Sequence, residues 1–532
     1  MRKTAVGYAI GKLMQIMGLV LLIPLGIAIW DTGEATPAEI LAVPEIMGFI
    51  GATLFALICG TIMAQLFREG RDLQGIKEGY AIVTFGWIAL AFISSIPFCL
   101  YFMAARPEGL NGIVLAFSDG FFEVMSGFTT TGASILTDIE AVPRSLLFLR
   151  ALTHWLGGMG IITLALVIFP AMGVVGYQMF RGEVPGPTTE KLYPRLAQTA
   201  SILWGVYLLL TAVESGLLMV GGMNLFDAIC HSFATMATGG FSTKNASIAA
   251  YDSDFIQWVI IIFMYFAGIN FVLHFRALRG DLTTMFSNRE FRFYTGVIVA
   301  AIVIITAVLY INGLASMETA SQHYRHAPME STQFAEHYVA QMDHVENLYT
   351  SFRTAAFQSL SIITTTGFAT ADFDLWPDFL RFLMIFLMFF GGCAGSTGGG
   401  MKIIRVMIAG KVGLRELRKL TQPRLVAPIK VGTQVIDDSR AVNVVSFVLI
   451  FVALFVLTAM LMTLFVPDLI TAVACSIATI GNIGPGLAGV GAVENYSWIP
   501  IPGKWILIMS MLLGRLEIFT VLIVLRPAVW RK

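Results

Sequence analysis

The chain has 532 residues, of which 57% are hydrophobic and 13% are charged. About 25% of the residues in soluble globular proteins are charged, so this composition predicts an all-α polytopic membrane protein and excludes a disordered one. Basic and acidic residues number 34 each, and the resulting net charge of zero gives no reason to expect nucleic acid as a partner. The five cysteines contain no CxxC pair, so neither a disulfide framework nor a zinc site is predicted.

Ten segments are long and apolar enough to cross a bilayer as helices, which takes roughly 20 residues each. With a cytoplasmic N-terminus, 23 of the 34 basic residues lie on the cytoplasmic side, 8 lie outside and 3 lie within spans. Basic residues favour the cytoplasmic side, so both termini are predicted to be cytoplasmic. The apolar run after Met1–Lys3 is too long for a signal peptide and is predicted to be a retained helix. The predicted spans are 10–30, 45–67, 79–104, 146–180, 193–222, 255–275, 291–315, 376–404, 441–466 and 504–526.

Four similar strings recur between pairs of predicted spans, on the side opposite the termini. In each string about a dozen mainly apolar and small residues precede a turn that contains glycine. Each repeat is therefore predicted to be a span, a short helix too brief to cross, a turn and a second span. The strings cover residues 118–134, 226–242, 353–370 and 469–486 and are aligned on Gly132, Gly239, Gly367 and Gly481. This divides the chain into two N-terminal helices over 1–77 and four repeats over 78–192, 193–290, 291–430 and 431–532.

The turns have the chemistry of a cation site. Backbone that is not helical survives within a membrane only where it is buried in protein or faces a water-filled cavity. Glycine permits the left-handed φ that turns carbonyl oxygens inward, and the C-terminal ends of the short helices add partial negative charge. Potassium filters use four such carbonyl-lined loops around one axis. One Thr-Gly turn is an ordinary helix break, whereas four on the same membrane side predict an ion path.

The strings TTTGAS, MATGGFS, TTTGFAT and TIGNIGPG, together with GGCAGSTGGGMKIIR and LGRLEIF, resemble the Trk/Ktr/HKT superfamily of potassium transporters. The resemblance covers essentially the whole chain and includes two extra N-terminal spans, which are typical of the membrane subunits of bacterial Trk uptake systems. It implies one subunit with pseudo-fourfold symmetry around a central potassium pore. The fourth repeat departs from the pattern, so a strictly fourfold filter is not expected. The predicted potassium sites are Thr130, Thr131, Gly132, Ala237, Thr238, Gly239, Thr365, Thr366, Gly367, Ile480, Gly481 and Asn482.

A glycine-rich segment interrupts the second span of the third repeat. Six of the ten residues in 391–400 are glycine, and each costs about 1 kcal/mol relative to alanine in a helix, so the segment is predicted to be unwound. A glycine-rich helix-packing face is the alternative. The resemblance implies an intramembrane loop below the filter that obstructs permeation and moves on opening. The predicted gating residues of this loop are Gly391, Gly392, Gly395, Ser396, Thr397, Gly398, Gly399 and Gly400.

Arg515 is a further predicted gating residue. It lies about 11 residues from either end of the span 504–526, or some 16 Å from each surface at ~1.5 Å per residue. At that depth its charge does not reach water easily. An ionisable residue so deep within a span is by default expected to have a function. An ion pair with a carboxylate such as Glu517 is the structural alternative. The resemblance implies that this arginine projects into the pore beneath the filter, where a fixed positive charge limits leakage.

Three polar regions outside these segments carry further expectations. Asp119, Glu123 and Asp227 precede the turns, and capping of the short helices is favoured over enrichment of cations as their role. The insert 316–352 holds four of the seven histidines, and a solvated outer loop is favoured over a zinc site. The basic segment 402–430 either contacts membrane lipid headgroups or docks a cytosolic regulator. The resemblance implies that this regulator is a nucleotide-binding TrkA-type ring and that the membrane subunit is a homodimer.

The predicted function is potassium uptake from outside to the cytoplasm across a bacterial inner membrane, with potassium as substrate and no cofactor. A proton- or sodium-coupled symporter is the alternative. A carboxylate buried on the pathway would favour coupling, and the spans show no obvious one. A membrane-embedded enzyme is disfavoured because His154, His231 and His274 lack convergent acidic partners in the sequence.

Overall fold

A computed structural model of the chain describes residues 2–33, 36–71, 76–106, 109–160, 196–312, 348–424, 427–432 and 434–530. In these ranges the regular structure is helical except for one antiparallel hairpin, β1 (Ile429–Val431) paired with β2 (Gln434–Ile436), and an isolated bridge. The predicted helical class is confirmed for this part of the chain.

The N-terminal region contains four helices, two of which pack closely together. Its helices are α1 (Lys3–Val20), α2 (Leu22–Asp31), α3 (Pro37–Ala42) and α4 (Pro44–Leu66). A Cβ atom added at Gly60 of α4 would lie 2.7 Å from the carbonyl oxygen of Gly11 of α1. Small residues allow this approach of two backbones, which is how helices commonly associate within membranes.

Four successive units follow, and each contains a long helix, a shorter helix, a loop and a further helix that is broken or described only in part. The first two units comprise α5 (Ile76–Ala104), α6 (Leu110–Phe128), α7 (Arg144–Gly158), α8 (Leu196–Val220), α9 (Leu225–Met236), α10 (Asp254–Ala267) and α11 (Phe271–Leu278), with α12 (Leu282–Ser287) after them. The last two comprise α13 (Arg289–Asn312), α14 (Leu348–Ile363), α15 (Asp378–Leu387), α16 (Ile403–Thr421), α17 (Asp438–Met462), α18 (Leu469–Ile480), α19 (Ile501–Arg515), α20 (Phe519–Leu525) and α21 (Pro527–Trp530).

Six helical segments in the described ranges are long and apolar enough to cross a membrane, and two bent pairs also qualify. The bends are 106° between α10 and α11 and 115° between α19 and α20. The predicted span 376–404 is interrupted because residues 388–402 are not helical. The predicted span 146–180 is described only to residue 160, and most of the insert 316–352 lies outside the described residues. The count of ten spans therefore stays a prediction.

The molecule exposes large apolar side chains along one long helix and buries hydroxyl groups on a shorter one. An 18-residue stretch of α17 has a mean hydropathy of 3.0, yet large apolar side chains along the helix, such as Leu449 and Met460, are exposed, as expected for a helix that faces lipid. The hydroxyl groups of Ser476 and Thr479 on the shorter helix α18 are instead fully buried. α18 therefore lies inside the molecule, whereas α17 lies at its apolar surface.

Candidate functional site

The four shorter helices α6, α9, α14 and α18 end in the same backbone pattern. At the end of α6, the N–H of Thr130 donates to the carbonyl of Gly127 at 3.0 Å, and the N–H of Thr131 donates to that of Ser126 at 2.9 Å. These bonds form the Schellman C-terminal motif, which requires a left-handed residue, here Thr130 with φ of 50°. A left-handed β-branched residue is strained and persists only where its surroundings hold it. The equivalent left-handed residues in the other loops are Thr238, Thr365 and Asn482.

A left-handed glycine follows each of these residues two positions later. The sequence alignment is therefore wrong by one residue at Gly239 and by three at Gly481, because it matched the first glycine of each turn. Ala237 and Gly481 are the C-cap residues of α9 and α18, and Ile480 is the last residue of α18. The left-handed glycines are Gly132, Gly240, Gly367 and Gly484, so residues 130–132 correspond to 238–240, 365–367 and 482–484.

The loops contact one another in a closed cycle through these four glycines. A Cβ atom added at Gly132 would lie 2.1 Å from the carbonyl oxygen of Gly239 in the second loop. One added at Gly240 would lie 2.0 Å from the carbonyl oxygen of Thr366 in the third. Only glycine fits at such distances, and all four glycines line one cavity of about 120 Å³. Two further contacts complete the cycle. A Cβ atom added at Gly367 would lie 2.0 Å from the carbonyl oxygen of Ile483, and one added at Gly484 would lie 2.5 Å from that of Thr131.

Side-chain hydrogen bonds stiffen three of the loops. The Oγ1 atoms of Thr129 and Thr131 are 2.8 Å apart in the first loop, and those of Thr364 and Thr366 are 2.8 Å apart in the third. In the fourth loop the amide of Asn482 donates to Thr131 Oγ1 at 2.9 Å. The fourth loop is therefore tied directly to the first.

The side chain of His154, on α7, lies directly against the second loop. A Cβ atom added at Gly239 would lie 2.4 Å from Nδ1 of the imidazole. Its Nε2 accepts from the N–H of Phe241 at 3.3 Å, so Nδ1 carries the proton and donates to the carbonyl of Gly127 at 2.9 Å. The fully buried imidazole thus joins the first two loops, a role that its sequence neighbours do not indicate.

The three carboxylates near the loops do not cap the short helices, contrary to expectation. Asp119 and Glu123 lie within α6, and α9 is capped by Asn224, whose side chain accepts the N–H of Asp227 at 2.9 Å. Each carboxylate instead binds a side chain of a neighbouring element and braces the chain around the loops. Burial, and then the charge of Asp227, raise the pKa of the Tyr251 hydroxyl above its usual range. The partners are Lys504 for Asp119, Arg150 for Glu123, and Thr243 and Tyr251 for Asp227.

Residues 388–402 lie against the C-terminal ends of the short helices. Thr397 Oγ1 donates to the carbonyl of Met236 at 2.9 Å, and the N–H of Gly399 donates to Thr365 Oγ1 at 2.6 Å. A backbone bridge joins the two ends of the segment, so it forms a loop between α15 and α16 where the glycine run predicts a break. The other predicted gating residues of this loop are Gly391, Gly392, Gly395, Ser396, Gly398 and Gly400.

Arg515, the last residue of α19, spans the space between this loop and the first unit. Its guanidinium donates to the carbonyl of Thr397 at 2.8 Å and to the carbonyls of residues 157–158 at 2.6 and 3.0 Å. Glu517, the carboxylate considered as its partner, forms an ion pair with Arg405 of α16. Arg515 therefore links the third loop-bearing unit to α7 through main-chain oxygens.

Comparison with known proteins gives the family. The model of the TrkH family, described as a cation transport protein, matches residues 43–532. The chain belongs to this family. It is 38% identical to the Trk system potassium uptake protein TrkH of Escherichia coli K12, over 90% of this chain and 91% of that one. It is 34% identical to TrkH of Vibrio parahaemolyticus over 98% of both chains. The crystal structure of the potassium transporter TrkH from Vibrio parahaemolyticus matches the whole chain with a TM-score of 0.80 and 32% identity. The chain is thus a transport protein and not an enzyme.

The sequence interpretation overlooked Glu214, which lies within the apolar helix α8 of this TrkH-family chain. Its side chain is fully buried, faces the Thr235 hydroxyl of α9 and has no ion-pair partner among the described residues. The sequence does contain a signal for it, because a single carboxylate within a run of apolar residues is by default expected to have a function.

Proposed function

We propose that the chain conducts potassium through a central pore, from outside to the cytoplasm of a bacterial cell. The observation that carries the proposal is the closed cycle of four glycine-containing loops around one cavity. Relatives named as potassium uptake proteins, which match 90% or more of the chain, support potassium as the substrate.

The four loops form the selectivity filter, in a pseudo-fourfold arrangement. Carbonyl and hydroxyl oxygens replace the hydration shell of the ion, as in other potassium filters. The C-terminal ends of the short helices at Ala237, Ile480 and Gly481 contribute partial negative charge beside it. Thr130, Thr238, Thr365 and Asn482 set the left-handed turn in each loop. The carbonyls of the filter at the level of the glycine contacts are those of Thr131, Gly239, Thr366 and Ile483.

The gate consists of the loop 391–400 and Arg515. The loop lies at the C-terminal ends of the short helices, where an ion leaving the filter would pass. Arg515 binds the loop and α7 at once, so its charge opposes a cation and its hydrogen bonds hold the loop in place. Opening requires that these bonds be released.

The setting of the protein is the inner membrane, with both termini in the cytoplasm. The functional assembly is a homodimer, with a cytosolic nucleotide-binding ring of the TrkA type as its regulator. The excess of basic residues in the segment 402–430 supports a cytoplasmic location for that segment.

The decisive test is flux through the purified protein in liposomes under separate potassium, sodium and proton gradients. A potassium gradient alone should drive flux, and adding a sodium or proton gradient at fixed voltage should not change its rate. Flux that requires the gradient of a second ion would overturn the channel proposal.

A proton-coupled symporter is the second candidate, and the buried Glu214 favours it. A carboxylate that gains and loses a proton during transport would couple the two ions. In that case an inward proton gradient accelerates potassium uptake, and Glu214→Gln abolishes the acceleration while leaving potassium flux in its absence intact. Equal behaviour of the wild type and Glu214→Gln under both conditions would remove this candidate.

A further inference from the structure

Four basic side chains converge on one cavity at the N-terminal end of α13, whose lining contains none of the residues of the four loops. The cavity has a volume of about 560 Å³, within the usual range for small-molecule sites. Its lining in the described part of the chain contains no acidic residue. The basic side chains are Arg289 and Arg292 of α13, Lys411 of α16 and Lys430 of β1.

The cavity is built from elements held in fixed positions. The hairpin β1–β2 is anchored by Ile429 and Ile436, which pack in a buried cluster with Ile408 of α16. The ammonium of Lys411 donates to the carbonyl of Lys430 at 2.5 Å, which joins helix and hairpin directly. The left-handed Gly432 at the hairpin turn approaches the side chain of Arg289. The cations are thus brought together by the fold and not by a mobile tail.

The acidic residues around the cavity are engaged elsewhere. Glu290 is buried, and its carboxylate accepts the N–H of Ala394 at 2.6 Å. Asp438 is paired with Arg415, and Glu416 with Lys419. Like charges held close together repel one another, so the cavity attracts an anion.

The surroundings of the cavity favour a lipid over a free anion. Arg289 is the first residue of the apolar span formed by α13, so the cations lie where the apolar surface ends. Phe293 lines the cavity and is 40% exposed. Beyond it, Val299 and Val303 continue the exposed apolar surface along the same helix. A molecule with an anionic head and apolar chains satisfies both regions at once.

We propose that this cavity binds the phosphate headgroup of an anionic phospholipid, whose acyl chains lie along α13. Basic pockets at the cytoplasmic ends of membrane helices recognise such headgroups. The site is separate from the filter and gate, and the proposal does not depend on which ion the protein conducts.

The test is lipid binding to the purified full-length protein, measured by native mass spectrometry. Phosphatidylglycerol is titrated against phosphatidylcholine of the same acyl chains, and sodium phosphate is titrated alone. The pocket variant is Arg289→Gln/Arg292→Gln. The matched control is Lys419→Gln/Arg440→Gln, which removes two basic residues that lie at the same end of the molecule and are paired with acids. Arg289, Arg292 and Arg440 are exposed and Lys419 is partly exposed, so folding is not at risk.

We expect the wild type to prefer phosphatidylglycerol, and the pocket variant to bind it roughly 25-fold more weakly, since each surface cation contributes about fivefold. The control variant should bind like the wild type. Equal binding of the two lipids, equal loss in both variants, or binding of sodium phosphate as tight as that of the lipid would overturn the proposal. A pocket variant that keeps its lipid but loses a nucleotide-binding partner subunit would reassign the surface to protein docking.

Discussion

All four units contribute equivalent parts to the cycle of loops, whereas two units supply what we propose is an obstruction beneath it. In the cycle, each loop provides one left-handed residue, one left-handed glycine and one carbonyl that faces the next loop. The obstruction consists of residues 388–402 from the third unit and the side chain of Arg515 from the fourth. The parts that all four units share therefore form the region proposed to select the ion. The parts that only two units supply form the region proposed to control its passage.

The two regions also differ in how they are held. The loop cycle is fixed by backbone contacts that are too close for any residue except glycine. The obstruction is tethered by individual hydrogen bonds from Thr397 and Arg515, each worth about 1 to 3 kcal/mol. A filter requires a rigid ring and a gate requires a releasable loop, and four substitutions test this difference.

The largest effect is expected at the ring. Gly367→Ala places a methyl group 2.0 Å from the carbonyl oxygen of Ile483, on a backbone with φ of 81°. Strain and overlap together cost about 3 kcal/mol, so potassium flux in proteoliposomes should fall about 100-fold. Gly216→Ala on α8, where the added methyl group meets open space, is the control and should conduct normally. Normal flux in Gly367→Ala would show that the four loops do not act as one ring.

The next effect has the opposite sign and concerns Arg515. Arg515→Ala removes a fixed positive charge and the bonds to Thr397 and α7, so potassium flux should rise about tenfold, or about 1.4 kcal/mol of barrier. Arg515→Lys keeps the charge but cannot reach all three carbonyls, and its flux should lie between those of Arg515→Ala and the wild type. An unchanged rate in Arg515→Ala would remove the barrier role.

A smaller increase is expected when the loop alone is loosened. Thr397→Ala removes the hydrogen bonds to the carbonyls of Met236 and Ala267, at 2.9 and 3.2 Å. Losing about 1 kcal/mol of tethering should raise flux about fivefold in the same assay. Thr397→Ser retains the hydroxyl group and should restore the wild-type rate. Equal flux in the two variants would place the tether elsewhere.

The smallest effect is expected at His154 and concerns selectivity. His154→Phe fills the ring volume but breaks the bridge between Gly127 and Phe241, so the ratio of potassium to sodium permeability should fall a few-fold, about 1 kcal/mol. The same substitution at His274, whose imidazole binds the carbonyl of Phe266 outside the ring, is the control. A selectivity ratio that is unchanged in His154→Phe, or that falls equally in both, would limit His154 to a structural role.

The sequence predicts the long helices well because membrane spans are defined by one physical quantity, the length of an apolar run. The predicted span 441–466 corresponds to α17, and 193–222 corresponds to α8. The break at 388–402 is also predictable, since six glycines in ten residues cannot favour a helix. The bend after α19 is not predicted, because it depends on left-handed residues such as Glu517 that carry no strong local preference. The bend after α10 is not predicted either, although no left-handed residue lies among the described residues there.

Within the site, the four turns are recognisable from their repetition, but their register is not. Gly239 and Gly481 align by residue type, whereas the structure requires glycine where a neighbouring carbonyl approaches, at Gly240 and Gly484. That approach joins residues more than 100 positions apart, so no local pattern encodes it. The same reason hides His154, whose partners come from two different loops.

Because one chain provides all four loops, a mutation in its coding sequence alters a single quarter of the ring. In an assembly of four identical subunits, the same mutation would alter every quarter simultaneously. One position of the ring can therefore change while the other three stay the same, and the loops of this chain differ in this way. Asparagine at 482 and glycine at 239 stand where the first and third loops carry threonine. Four loops on one chain can thus differ from one another, which the loops of four identical subunits cannot.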